Sequence, residues 1–178
     1  MRVVVDASVA LKWVFDEPES EAAVALRAED LVAPALWLAE VANALWRRSR
    51  IGDITPDEAS SLLFELHNAP VASLAMEPHL DRALKLATEI GHPVYDCIYL
   101  ALAVHHDTHV VTADRRFAAA ATAAGLTDRV RLLSLDPSQA ASNVRFARSQ
   151  APAQDAAAAS QRGEQSDSEA ASRTAAAK

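Results

Sequence analysis

The chain has 178 residues, 51% of them hydrophobic, with one cysteine and a formal net charge of −7. That length and apolar share supply one domain with a real core and exclude disorder of the whole chain, and the lone Cys97 excludes an internal disulfide and suits a reducing, cytoplasmic setting. The negative charge argues against a broad electropositive groove for nucleic acid, no apolar run reaches the roughly 18 residues of a membrane span, and the opening Val3-Val4-Val5-Asp6 lacks the layout of a signal peptide.

Strand and helix signals alternate along the chain. Residues 2–6 are a short apolar run that ends in an acid, a predicted first strand. The spacing of Ala22, Ala25 and Leu26 predicts a helix over 18–29. Residues 31–33, closed by Pro34, form a second strand, and 36–50 an amphipathic helix stopped by Gly52. Thr55-Pro56-Asp57-Glu58 is a helix start: a capping Thr, Pro in the first turn and Glu three residues after the cap. That helix runs to about His67. Residues 71–74 are a third strand, 78–90 a helix with Gly91 just past its end, and Pro93 opens a further helix to about His106. A fourth strand over 109–112, a helix over 114–124 closed by Gly125, and a fifth strand over 130–135 follow. After Leu135 the composition changes to Ala, Ser, Gln and scattered charge. We expect one folded domain over 1–137 and a disordered tail over 138–178, where too little apolar surface exists to offset the entropy of ordering.

Strands that alternate with helices predict an α/β fold with a parallel sheet covered on both faces. In such a sheet, ligands bind beyond the carboxyl ends of strands, near the point where strand order reverses. Asp6 follows the first strand and Asp114 the fourth. They face one crevice if those strands are neighbours. Glu40 lies within the apolar stretch 35–42, and Asp96 in the first turn of the helix opened by Pro93. A carboxylate in such a setting is costly unless paired or bound to metal. Each acid also has a bland role: Asp6 and Asp114 as helix caps, Asp96 as an answer to the helix dipole, Glu40 on a solvated face.

Taken together, the segments VVVDASVALKW, LAEVANALWR, HPVYDCIYLALA and VVTADRRF resemble the PIN domain, and most of all its VapC-type branch, the toxins of toxin–antitoxin pairs. The resemblance spans about residues 2–135. It implies a three-layer fold with a five-stranded parallel sheet in the order 3-2-1-4-5, which makes the first and fourth strands neighbours. It implies metal-dependent cleavage of RNA that leaves 5′-phosphate and 3′-hydroxyl ends. Asp6, Glu40, Asp96 and Asp114 match the family's four acids, Ser8 the hydroxyl residue after the first, Asn43 a polar position one turn beyond the second, and Thr112 the hydroxyl before the last. It further implies a small cognate antitoxin of the VapB type and a homodimer.

Mg²⁺ and Mn²⁺ prefer hard oxygen ligands, which four carboxylates supply. Two such charges about 5 Å apart repel by roughly 3 kcal/mol at an effective dielectric near 20. The set is expected to take up a cation, shift a pKa upward or accept a positive group from a partner. Asp6 and Asp96 are expected to contact the ion directly, Glu40 and Asp114 directly or through water, and Ser8, Asn43 and Thr112 to support them. Leu36, Glu40, Asn43, Arg47 and Arg50 fall on one helical stripe. Arg47 and Arg50 are therefore candidates for RNA phosphate contacts, with Arg115 and Arg116 beside Asp114. An ordinary solvated helix end explains Arg47 and Arg50 equally well.

Other signals are discounted. His105, His106 and His109 have no common zinc spacing. Cys97 reads as a packed thiol, and Trp37 and Trp46 as packing groups. The four glycines form no phosphate loop. Apolar contacts with an antitoxin are expected from the helices around Trp46 and Leu63. Two rival functions stand beside the nuclease. A haloacid-dehalogenase-type phosphatase would need a second acid where Ser8 stands, and a PIN-like RNA-binding or interaction module would bind without turnover.

Overall fold

The computed structural model describes residues 2–134. The expected tail over 138–178 and the last residue of the predicted fifth strand, Leu135, lie outside the described residues. Five parallel strands, β1 (Arg2–Val5), β2 (Asp30–Pro34), β3 (Val71–Leu74), β4 (Val110–Thr112) and β5 (Val130–Leu132), form one sheet in the order β3-β2-β1-β4-β5. This is the order expected from the resemblance. The helices between them are α1 (Ala7–Leu11), α2 (Ser20–Leu26), α3 (Trp37–Arg50), α4 (Pro56–His67), α5 (Leu80–Ile90), α6 (Val94–His105) and α7 (Arg115–Ala123). A 3-10 turn over Glu77–His79 precedes α5.

Successive strand side chains point to opposite faces. Val3, Val4 and Val5 are all buried, so the centre of the sheet is covered on both faces. The β1–β4 register pairs Val4 with Val110 and Val5 with Val111, and the Asp6 amide donates to the Val111 carbonyl at 3.0 Å. The chain builds β1, β2 and β3 outward on one side and then returns to lay β4 beside β1. The reversal of strand order thus falls between the strands that end at Asp6 and Thr112.

Helix α6 explains why the centre is stiff. Every residue over 97–103 is buried, so this stretch of the helix has no solvated face, and the helix packs on β1, β2 and β4. Each fully buried Leu in it, Leu100 and Leu102, contributes about 1.5–3 kcal/mol of apolar transfer. Helix α3 is anchored by Trp37, whose indole nitrogen donates to Ser73 Oγ of β3 at 2.8 Å. The capping box at Thr55 is complete: Glu58 N donates to Thr55 Oγ1 at 3.2 Å and Thr55 N to Glu58 Oε2 at 2.7 Å. Gly91 ends α5 in the left-handed region at φ 66°, as its place after Ile90 suggests.

Three elements differ from the sequence reading. The five-residue helix α1 has no sequence signal, because one turn of small apolar residues shows no periodicity. Strand β5 stops at Leu132, opposite Thr112, where its neighbour β4 ends. Helix α2 is shorter than 18–29, since Glu19 adopts φ 66° and the loop before it is tied down by charge. Lys12, itself buried, donates to the Pro18 carbonyl at 2.6 Å and pairs with Glu17 (3.5 Å) and Glu19 (3.3 Å). Arg48 of α3 also pairs with Glu17 and lies 4.0 Å from the centroid of the Phe15 ring.

Thr55→Ala removes a cap on an exposed helix start far from the acids. It is expected to lower unfolding stability by about 1 kcal/mol, read as an earlier midpoint in urea with an unchanged slope.

Candidate active site

Asp6 is the buried centre of a hydrogen-bonded cluster. It caps α1, accepting from Ser8 N at 3.2 Å, and its other oxygen accepts from Ser8 Oγ at 3.0 Å and from Thr112 Oγ1. Ala113 N donates to Ser8 Oγ and Asp114 N to Thr112 Oγ1, each at 3.0 Å. The two hydroxyls therefore bridge the end of β1 to the turn after β4. Asp114 caps α7, its Oδ1 accepting from Arg116 N at 2.7 Å and Phe117 N at 3.2 Å. The bland cap role of Asp6 and Asp114 is real, and it coexists with their convergence.

Glu40 is half-buried on α3 and accepts a hydrogen bond from the Tyr99 hydroxyl of α6 at Oε2. Tyr99 is a phenol buried among apolar neighbours on α6, and its oxygen needs a partner. That need brings Glu40 inward. Asp96, one turn earlier on α6, has its Oδ2 2.8 Å from His92 Nε2. The His92 ring stacks on Phe117 of α7 at 5.2 Å between centroids. Ligand-capable atoms of His92, Asp96 and Asp114 all lie within 4.8 Å of one another.

The acids act on one another electrically. Burial pushes the Asp6 carboxyl up, the hydroxyls of Thr112 and Ser8 pull it back, and Asp114 pushes it up again. Burial is also the largest effect on Glu40, which is pushed up to about 7 with Asp6 and Asp96 adding to the rise against the Tyr99 hydrogen bond. Asp96 is raised by burial and by Asp6, opposed by His92. Among the described residues no Lys or Arg pairs with any of the four. A mutually repelling carboxylate set, with Asp6 buried, the other three half-buried and no Lys or Arg partner, fits a divalent ion.

The remaining expected residues divide. Ser8 and Thr112 join the cluster. Where a phosphatase of the haloacid-dehalogenase type would need an acid, Ser8 donates to Asp6. Asn43 is exposed one turn beyond Glu40 and, among the described residues, bonds none of the acids. Arg47, Arg50, Arg115 and Arg116 are exposed. Arg50 lies 5.3 Å from the centroid of the Trp46 ring, and Arg115 is 3.5 Å from Glu19. Trp46, expected to pack, is 52% exposed, whereas Trp37 is buried. Cys97 is buried beside Asp96, and burial pushes its thiol up to about 11, as suits a packed group. His105 makes ring contacts with His79 and His106. Sequence reasoning misses Tyr99 and His92. The first has no local signal, since its partner lies 59 residues away. The second lies in the short link before α6, four residues before Asp96.

A PIN domain family model matches residues 3–123. The chain is 38% identical over 125 residues to Ribonuclease VapC3 of Pyrobaculum aerophilum, covering 66% of this chain and 93% of the relative. It is also similar to the crystal structure of PAE2754 from Pyrobaculum aerophilum, with a TM-score of 0.57 and 27% identity, covering 83% of this chain and 99% of that one.

The raised carboxyls set a pH dependence. A carboxyl whose folded pKa exceeds its unfolded value binds more protons folded than unfolded. Its contribution is fully present below the ordinary value of 4.5 and is lost as pH rises through about 7. In EDTA, thermal stability is therefore expected to fall across this window, and Glu40→Gln to flatten the fall. An equal slope in the Gln variant would remove Glu40 as its source.

Proposed function

The chain belongs to the PIN domain family, and from that membership we propose that it is a Mg²⁺- or Mn²⁺-dependent endoribonuclease, the toxin of a VapBC-type toxin–antitoxin pair. The observation that carries this reading is that Asp6, Glu40, Asp96 and Asp114 act on one another electrically near the carboxyl ends of β1 and β4, with no Lys or Arg among the described residues to balance them. Similarity to a relative named as a VapC ribonuclease supports the substrate class. An overall negative charge does not oppose it, because a bound cation inverts the local field.

Asp6 and Asp96 would hold the ion directly, with Glu40 and Asp114 completing the set directly or through water. The ion, when bound, supplies activated water and neutralises charge on the phosphodiester during in-line attack. The chain's own residues do the rest. Ser8 and Thr112 fix the Asp6 carboxylate by donating to it. Tyr99 holds Glu40 at Oε2, which leaves Oε1 to take a proton from the attacking water. No side chain serves as a covalent nucleophile, and the ends produced are 5′-phosphate and 3′-hydroxyl. Arg47 and Arg50 sit beyond Glu40 on α3 and would bind flanking phosphates, with Arg116 and, once released from Glu19, Arg115 near Asp114.

The antitoxin would place Arg or Lys over the acids and bury the apolar side chains that α3 and α4 expose. Those are Trp46 and Phe64; Leu63, expected in that role, packs on the core. A homodimer and a cytoplasmic setting complete the reading. Among the described residues no helix is long and apolar enough to cross a membrane.

Purified protein, freed of antitoxin, is expected to cut labelled total RNA with Mg²⁺ or Mn²⁺ and not in EDTA. Asp6→Asn and Asp96→Asn are each expected to lose roughly a thousandfold or more, about 4 kcal/mol of barrier. Full activity in either variant would sink the site, and metal binding without cleavage would favour a non-catalytic RNA-binding module. Removing Arg47 and Arg50 together is expected to lower the log–log salt slope of RNA binding by about 1.4, or 0.7 for each single-strand phosphate no longer neutralised. An unchanged slope would return both arginines to the solvated face.

A further inference from the structure

His92 is held in a way that packing alone does not explain. Its ring is stacked on Phe117 and its side chain is 12% exposed. Nε2 is shielded from solvent, and its one polar neighbour among the described residues is Asp96 Oδ2, 2.8 Å away, in a pairing that falls short of good hydrogen-bond geometry. A buried imidazole nitrogen that has only a carboxylate beside it, and no well-formed hydrogen bond, is poorly satisfied. It is also positioned as a ligand atom would be. Atoms bound to one six-coordinate ion with bonds near 2.1 Å lie about 3 to 4 Å apart. The atoms of His92, Asp96 and Asp114 fall within 4.8 Å of one another, so a small contraction closes the set.

We propose that His92 is a metal ligand, supplying one imidazole nitrogen beside the carboxylates of Asp96 and Asp114 and biasing the site toward first-row transition ions over Mg²⁺. The inference rests on the reading of the acids as a cation site, and adds to it a ligand of different chemistry. Hard Mg²⁺ is served by oxygen and by retained water, whereas imidazole suits first-row transition ions. Three features prepare the ligand. Pro93 follows His92 and fixes the entry into α6, the i, i+4 spacing sets the imidazole over Asp96, and the Phe117 stack fixes the ring plane. Phe117 is two residues beyond Arg115 on the helix that Asp114 caps, so the turn that brings in Asp114 also brings in the support for His92.

The test is pulsed EPR of full-length protein loaded with Mn²⁺ alone, with and without ¹⁵N-histidine, beside calorimetric titrations with Mn²⁺ and Mg²⁺. Nitrogen coupling to bound Mn²⁺ that changes with the ¹⁵N label is expected. His92→Phe keeps a ring against Phe117 and removes the nitrogen. It is expected to abolish the coupling and to lower the Mn²⁺-to-Mg²⁺ affinity ratio about tenfold or more. Should that variant not fold, the isotope effect in the unaltered protein still decides. Mn²⁺ bound without nitrogen coupling, coupling that survives in His92→Phe, or an unchanged affinity ratio would overturn the proposal and leave the nuclease reading standing. Failure of Mn²⁺ to bind at all, together with absence of RNA cleavage, would overturn both.

Discussion

Negative charge is crowded where β1 and β4 end, and the neighbouring structure is arranged to contain it. Asp6 is nearly inaccessible and feels Asp114 directly, while Glu40 and Asp96 feel Asp6. Left alone, such a group would take up protons or swell apart. It is held by neutral donors rather than by cations: two hydroxyls, the amides of two helix starts and one phenol. Neutral donors orient carboxylates without cancelling them. The cluster therefore keeps its appetite for positive charge, and that appetite is what a divalent ion or a basic partner segment would answer.

Containment depends on the topology. Parallel strands that end together present their terminal residues on one rim, and the reversal of strand order leaves a gap between the helices there. Helix α6 closes the back of that gap with side chains over 96–103 whose polar atoms, those of Asp96, Cys97 and Tyr99, all face other groups. Because α6 is buried along 97–103, it can shift little, and the carboxylates it carries or restrains inherit that rigidity.

Much of this is legible in the amino-acid order, and the reason is local. A doubly buried strand reads as an unbroken apolar run, so an acid directly after it, as at Asp6, stands out. The capping box at Thr55 and the glycine after Ile90 are short-range signals, and both hold. Strand order does not follow from spacing and comes only with the family resemblance. What fails to show depends on distance or on competition. Tyr99 and Glu40 meet across 59 residues. Helix α1 is too short for a period. The outer part of the stripe on α3, Asn43, Arg47 and Arg50, is exposed, yet Arg48, one residue off it, takes the ion pairs with Glu17 and Asp53. Trp46 lies on the outer side of the same helix, where hydrophobicity alone suggests packing. His92 is hidden behind the more conspicuous histidines over 105–109.

The double employment of Asp6 and Asp114 as helix caps bears on how such a protein decays. Each carboxylate gives an oxygen to the backbone amides that start a helix, a task that an amide oxygen performs equally well. Exchange of either acid for asparagine removes charge from the cluster and relieves its repulsion while the helix keeps its start. At Asp114 the exchange therefore costs the fold little, whereas at Asp6 it also sets an NH2 group where the second oxygen accepts from Ser8 and Thr112. Under the proposed function, selection on what the site does, rather than on folding, would be what retains Asp114. Lineages released from that selection should collect asparagine here before the strands around them begin to drift.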